Sequence, residues 1–282
     1  GVGGLIYTTL VDVATLAAHL NDPDWLVVDV RHHLADTGYG ERVYAEGHVP
    51  GAVFLHCDRD LSGSMTGSNG RHPLPAPEKL AARLGAIGIG AATQVVVYDD
   101  AQGMIAGRLW WLLRWLGHAR VALLDGGLPA WQAANQPLTP ALPLLRPAQF
   151  VAELNDAMVD ADYVKAFLQT SRMHLVDARS PDRFRGENET INPVGGHIPG
   201  AVNRFFRDNL QADGRFKPAA ELRAEWLAVL AGAAPEAVVH QCGSGVSACH
   251  NLLAMEIAGL PGSRLYAGSW SEWCADPGRP FA

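Results

Sequence analysis

Short runs rich in β-branched and other apolar residues recur at 27–30, 95–98 and 121–124, and again at 175–178, 238–241 and 264–267. The segments between them place apolar residues at helical spacing, as in ACHNLLAMEIAG at 248–259. Strands little interrupted by polar residues, alternating with helices, predict parallel sheets covered on both faces. The pattern reads as an α/β fold that occurs twice.

The duplication is visible in the residues. LVDVATLAAHL (10–20) aligns without gaps on MVDADYVKAFL (158–168), and VVDVR (27–31) on LVDAR (175–179) at the same offset. EGHVPGAV (46–53) follows against GGHIPGAV (195–202), VVYDDAQGMIA (96–106) against VVHQCGSGVSA (238–248), and DGGLPAW (125–131) against AGSWSEW (267–273). Matches in one order predict tandem domains. Between the halves, NQPLTPALPLLRPAQF (135–150) carries four prolines, which suit a stiff, extended connector. The expected boundary lies near 145, with an N-terminal domain over 1–145 and a C-terminal domain over 146–282. Pro50-Gly51 and Pro199-Gly200 are turn signals. His48 and His197, just before them in both halves, are expected to be hydrogen-bonded turn residues.

Composition narrows the function classes. The 282 residues are 48% apolar with a formal net charge of −7 and no long lysine or arginine run, which excludes a nucleic-acid partner. Apolar stretches such as RLWWLLRWLG (108–117) fall short of the roughly 18 residues of a membrane span, so no membrane partner is expected. GVGGLIYTTL at the N-terminus lacks the order of a signal peptide, and four cysteines (57, 242, 249, 274) suit a reducing compartment. The expectation is a cytoplasmic protein.

The chemistry concentrates in HQCGSGVSACH (240–250), where a strand runs into a glycine-rich turn and a helix start, a place where backbone N–H groups meet anions. The internal alignment sets Asp100 opposite Cys242, so only the C-terminal copy has the thiol. Aspartate is no stand-in for a small buried apolar residue, and Cys242 therefore reads as functional. The N–H groups from Gly243 through Ser244, Gly245, Val246 and Ser247 to Ala248 can form a nest for negative charge, with Gly243 and Gly245 free to take positive φ. The helix dipole adds to it, and such surroundings favour a thiolate.

Rival readings fit less well. Zinc on Cys242, Cys249 and His250 lacks paired Cys-x-x-Cys spacing, so no metal is expected, and Cys57, Cys249 and Cys274 read as structural. A cysteine phosphatase needs an arginine fork six positions after the cysteine, where Ala248 stands.

On the two GH[VI]PGAV segments, DGGLPAW (125–131), DRFRG (182–186), CGSGVSACH (242–250) and GSWSEW (268–273), the chain resembles tandem-domain sulfurtransferases of the rhodanese and 3-mercaptopyruvate sulfurtransferase type over essentially its whole length. In that family a cysteine loop with two charged residues after the cysteine accompanies thiosulfate, whereas Cys-Gly-Ser/Thr-Gly-Val accompanies 3-mercaptopyruvate. The resemblance implies that Cys242 carries sulfur as a persulfide within the 243–248 loop, that Arg183 binds the donor's carboxylate, and that Ser244, His72 and Asp58 move a proton. The family's mercaptopyruvate enzymes place a second carboxylate-binding arginine nine positions after the first; here that position is Asn192, with Arg185 and Arg179 as nearby substitutes. The implied partners are a small-molecule sulfur donor and a thiol acceptor such as a small thiol or a thioredoxin-like protein, with no cofactor. Thiosulfate as donor, or a non-catalytic sulfur-carrier or regulatory module, are the alternatives; the intact loop and Arg183 weigh against the last.

Overall fold

The computed structural model describes residues 4–282, which form two compact units. Unit 1 comprises the chain up to Gly63, Pro75–Asn155 and Ala212–Arg215; unit 2 comprises Ser64–Leu74, Asp156–Gln211 and Phe216–Ala282. Each unit thus takes in one short segment from beyond its own stretch of chain.

In unit 1 the strands are β1 (Leu10–Val11), β2 (Trp25–Asp29), β3 (Val53–Phe54), β4 (Gln94–Tyr98) and β5 (Val121–Leu124), in the order β1-β5-β4-β2-β3. Unit 2 repeats the plan with β6 (Met158–Val159), β7 (His174–Asp177), β8 (Val202–Asn203), β9 (Val238–Gln241) and β10 (Arg264–Tyr266), in the order β6-β10-β9-β7-β8. Every pairing is parallel, with β4 and β9 central in their sheets. Both central strands are buried along their whole length, which is why they read as unbroken runs. Trp131 and Tyr98 anchor the core of unit 1, and Trp273, Trp270 and Tyr266 that of unit 2.

The repeated Asp-x-Arg segments are structural. Arg31 Nε and Nη2 grip both oxygens of Asp29, and Nη2 also donates to Gly47 O at 2.7 Å. Arg179 does the same with Asp177 and with Gly196 O at 2.8 Å. Each pair ties the end of a strand to the turn before the Pro-Gly, and Arg179 is thereby committed to the core. The turn histidines also act as expected: His48 bonds Tyr44 O and Ala141 O, and His197 bonds Phe184 O. Gly51 and Gly200 hold φ of +84° and +82° in the paired turns. The proline-rich stretch runs along unit 1, with His48 and Thr139 exchanging backbone bonds and Ala148 N–H donating to Gly85 O. Among the described residues, no helix is long and apolar enough to cross a membrane.

His240, inside β9, makes the stability of this unit sensitive to acid. Its two ring nitrogens have no hydrogen-bond partner among the described residues, and burial, with a smaller push from His174, lowers its pKa from 6.5 to about 3. Below about pH 6.5 the unfolded chain protonates this ring and the folded protein does not, so stability falls as pH drops toward 3, by roughly 1.4 kcal/mol per pH unit. Urea midpoints between pH 7 and pH 4 are therefore expected to fall less steeply for His240→Leu than for the wild type; parallel slopes would contradict this.

Candidate active site

β9 delivers the chain to Cys242, and the loop that follows ends where the helix Ala248–Ile257 begins. Two glycines lie in this turn. Gly245 takes φ +88°, and a β-carbon there would stand 2.2 Å from Ala267 O. Gly243, expected to share the positive φ, does not adopt it. Its surroundings are close: a β-carbon there would meet Arg71 Nη2 at 3.2 Å and touch Arg183 Nη1 at 3.5 Å. Two guanidinium groups therefore converge over the first peptide of the loop.

Cys242 is only 1% exposed, as deeply buried as Cys57 and Cys249, so burial does not distinguish it. Its neighbours do. Gly245 N–H donates to Cys242 Sγ at 3.0 Å. The GSWSEW segment clamps the backbone: Cys242 N–H donates to Ser269 Oγ at 3.1 Å, Trp270 N–H to Cys242 O at 3.0 Å, and Ser271 N–H to Gly243 O at 2.9 Å. Val246 O and Ser247 O accept the N–H groups of Cys249 and His250, turning the loop into the helix that Ala248 opens. The thiol of Cys57 is pushed up to about 12, chiefly by burial.

The aligned loop of unit 1 shows what such a turn binds. There the carboxylate of Asp99 accepts from the N–H groups of Ala101, Gly103, Ile105 and Ala106 at 2.8–2.9 Å. An aspartate of the same chain fills that nest. In unit 2 the aligned position is the neutral Gln241, whose side-chain amide has no partner among the described residues, and a sulfur takes the amide of Gly245 instead. The contrast between the copies is thus one of a nest closed by its own anion and a nest presented to sulfur.

The remaining predicted residues divide between the units. In unit 2, His72 Nδ1 lies 2.7 Å from Ser244 Oγ, both buried. Arg183, at the end of the short helix Pro181–Phe184, donates through Nη2 to both oxygens of Glu189 at 3.3 Å, while its Nε has no partner among the described residues. Burial opposes the charge on Glu189, but bonds from Asn192, from the Ile191 amide and from Arg183 together hold it below the usual carboxylate range. Asp58 belongs to unit 1, its carboxylate 3.8 Å from His32 Nε2. His32, Cys57 and Asp58 place one ligand atom each within 4.8 Å of one another, a set able to take up a metal if the raised thiol of Cys57 gives up its proton. Cys249 and His250 turn elsewhere, toward Gly245 O and toward Asn209 and Phe216.

Neither Arg179 nor Arg185 substitutes at the loop. The first is locked on Asp177, and the second pairs with Glu187 at the exposed surface. Three residues escaped the sequence reading. Arg71 adjoins His72 in RHPLP, Glu189 lies six positions beyond Arg183, and Ser269 stands opposite Gly127 in the internal alignment. The last was detectable: Gly127 has φ +62° and Ser269 φ +57°, a conformation that disfavours any side chain by roughly 1–2 kcal/mol. Keeping a serine there makes sense once its hydroxyl holds the Cys242 amide.

Comparisons with known proteins agree on the architecture. A Pseudomonas aeruginosa protein named "Probable 3-mercaptopyruvate sulfurtransferase" is 51% identical over 276 residues, covering 97% of each chain. The thiosulfate sulfurtransferase of Mus musculus is 35% identical over 281 residues, covering 95% of this chain and 93% of the mouse protein. Among solved structures, 3-mercaptopyruvate sulfurtransferase from Leishmania major superposes with a TM-score of 0.83 at 32% identity, covering 94% of this chain and 74% of that one. The rhodanese-like domain matches residues 12–134 and again 160–276. Two parallel sheets of one topology, built from two such matches, make this chain a member of the rhodanese-like domain family, with the domain present twice.

Proposed function

We propose that the chain is a sulfurtransferase that moves sulfur from 3-mercaptopyruvate to a thiol or cyanide through a persulfide on Cys242. The observation that carries this reading is the Gly245 amide on Cys242 Sγ with the guanidinium groups of Arg71 and Arg183 beside the same loop. Cys242 thiolate attacks the donor's sulfur, and the donor's C–S bond breaks with its electron pair leaving as the enolate of pyruvate. The donor's S–H proton passes to the enolate carbon by way of Ser244 and His72, whose 2.7 Å contact suits a proton relay. This yields pyruvate and a charged persulfide. Backbone amides and guanidinium groups already aimed at the loop receive that charge without reorganising. A thiolate acceptor then attacks the outer sulfur, the S–S bond breaks, and Cys242 thiolate returns.

What favours 3-mercaptopyruvate over thiosulfate is Gly243. A loop with charged side chains after the cysteine would carry its own cations, whereas this one leaves room for arginines that converge from other segments, suited to a planar carboxylate. The reading includes a thioredoxin-like protein or a small thiol as acceptor, and a reducing compartment such as the cytoplasm, in keeping with four free cysteines. Steady-state runs with both donors test it: kcat/KM is expected to favour 3-mercaptopyruvate by at least about ten-fold, a difference of one transition-state contact. A preference for thiosulfate would overturn the donor assignment.

A further inference from the structure

β2 and β3 leave the sheet of unit 1 side by side, and the chain after them brings three metal-ligating side chains together. The register pairs Asp29 with Phe54, the last residue of each strand. His32 and Cys57 each stand three residues further on, at matching heights beyond the strand ends, and Asp58 comes next in the chain. One donor atom from each lies within 4.8 Å of the others, and His32 Nε2 is 3.8 Å from Asp58 Oδ2. Tetrahedral zinc sets its ligand atoms about 3.3–3.8 Å apart, so no pair here has to close by more than about 1.5 Å. The fold itself does not require such a cluster. Carried forward without gaps, the internal alignment sets Ser180, Phe206 and Arg207 opposite His32, Cys57 and Asp58, and unit 2 builds the same sheet with them. The turn that presents the cluster is held from behind. Ser62 Oγ donates to Cys57 O at 2.8 Å, and His56 Nδ1 accepts from the amides of Asp58 at 3.0 Å and Arg59 at 3.3 Å. His56 Nε2 donates in turn to Thr37 O at 2.8 Å, so this ring is engaged with the backbone and packs edge-on to His32.

We propose that His32, Cys57 and Asp58 form a zinc site in unit 1, with imidazole, thiolate and carboxylate as protein ligands and the fourth position left to water. The mixed set selects among cations. Its thiolate turns away magnesium and calcium, which take oxygen ligands, and its carboxylate turns away copper(I), which takes sulfur. On binding, Cys57 releases its proton to the solvent and its sulfur gives an electron pair to the metal. Two positive charges then meet one thiolate and one carboxylate, and the neutral sum suits a place where His32 and Cys57 are buried. The ion enters past Asp58, whose side chain is 38% exposed. Bound there, it ties the end of β2 to the end of β3, an edge strand of two residues.

Cobalt(II), which occupies zinc sites and reports its ligands by colour, tests the site in the full chain. Cys242→Ser serves as the parent, so that the thiolate of unit 2 does not contribute. One equivalent of cobalt chloride is expected to give sulfur-to-cobalt charge transfer in the near ultraviolet and the visible bands of a four-coordinate ion, both lost on adding zinc chloride. Cys57→Ser in that parent is expected to lose the charge-transfer band. His32→Gln is expected to weaken cobalt binding at least about ten-fold, the smallest cost that loss of even an outer partner of a metal ligand brings. Zinc chloride at about a hundred times its dissociation constant is expected to raise the melting temperature of the parent by at least about 4 °C, and that of the Cys57→Ser variant by less than about 1 °C. If Cys57→Ser melts below the assay temperature, His32→Gln carries the test, and a loss of affinity smaller than about ten-fold overturns the site. A parent without the charge-transfer band, or a band that survives Cys57→Ser, overturns it as well.

Discussion

Replacing Cys242 by serine is expected to lower sulfur transfer from any donor by at least about 10³-fold, the scale on which removal of a nucleophile acts in enzymes with covalent intermediates. The substitution is nearly isosteric, and the surroundings of the side chain favour its folding: Gly245 N–H can donate to an oxygen as readily as to sulfur, and the backbone bonds to Ser269, Trp270 and Ser271 do not involve the side chain. The loss should therefore appear in turnover with little change in melting temperature. A serine hydroxyl is scarcely ionised at neutral pH and cannot carry a sulfane sulfur. Residual activity above a hundredth of the wild type would place the chemistry on another group.

The second large effect is expected for Gly245→Ala. A β-carbon 2.2 Å from Ala267 O and 2.9 Å from its carbonyl carbon cannot be absorbed by a flexible side chain, because both atoms are backbone. The alanine would also be held at φ +88°, in the left-handed region where a side chain is disfavoured by roughly 1–2 kcal/mol. Either the loop or the segment after β10 must move, and both carry groups that contact Cys242. A displacement of about an ångström in a catalytic constellation lowers the rate on the order of 10²-fold. Activity should fall by that factor or more, together with a stability loss of about 2–3 kcal/mol from overpacking. Wild-type activity in this variant would show that the turn at 245 plays no part in presenting the amide.

These two residues also mark how far the sequence could be read. Cys242, Gly243 and Gly245 lie in one local stretch, and the paired copy supplied the contrast with Asp100. The inner strands were equally plain, since burial on both faces leaves runs such as 95–98 and 238–241 with few polar residues. The outer strands were not: β1, β3, β6 and β8 have two residues each, too few to show any period. Gly243, though free to take positive φ, does not take it, and the two guanidinium groups close to it come from segments that local sequence does not link to the loop. Arg179 looked available only because its partner lies two residues earlier on the end of a strand, a contact that strand pleating brings about and that spacing in the chain does not announce. Arg71 and Glu189 went unnoticed for a related reason. Their importance comes from the folding of Ser64–Leu74 and the 189–192 turn over one loop, a long-range arrangement without a local signature.

The central claim is that one sulfur, on Cys242, receives and holds a second. Intact-mass measurement after incubation with 3-mercaptopyruvate and removal of excess donor tests it most directly. The account predicts a gain of one sulfur atom in the wild-type protein, lost on addition of cyanide and absent from Cys242→Ser; a wild-type mass that does not change with 3-mercaptopyruvate or thiosulfate, or a gain that persists in Cys242→Ser, would contradict it.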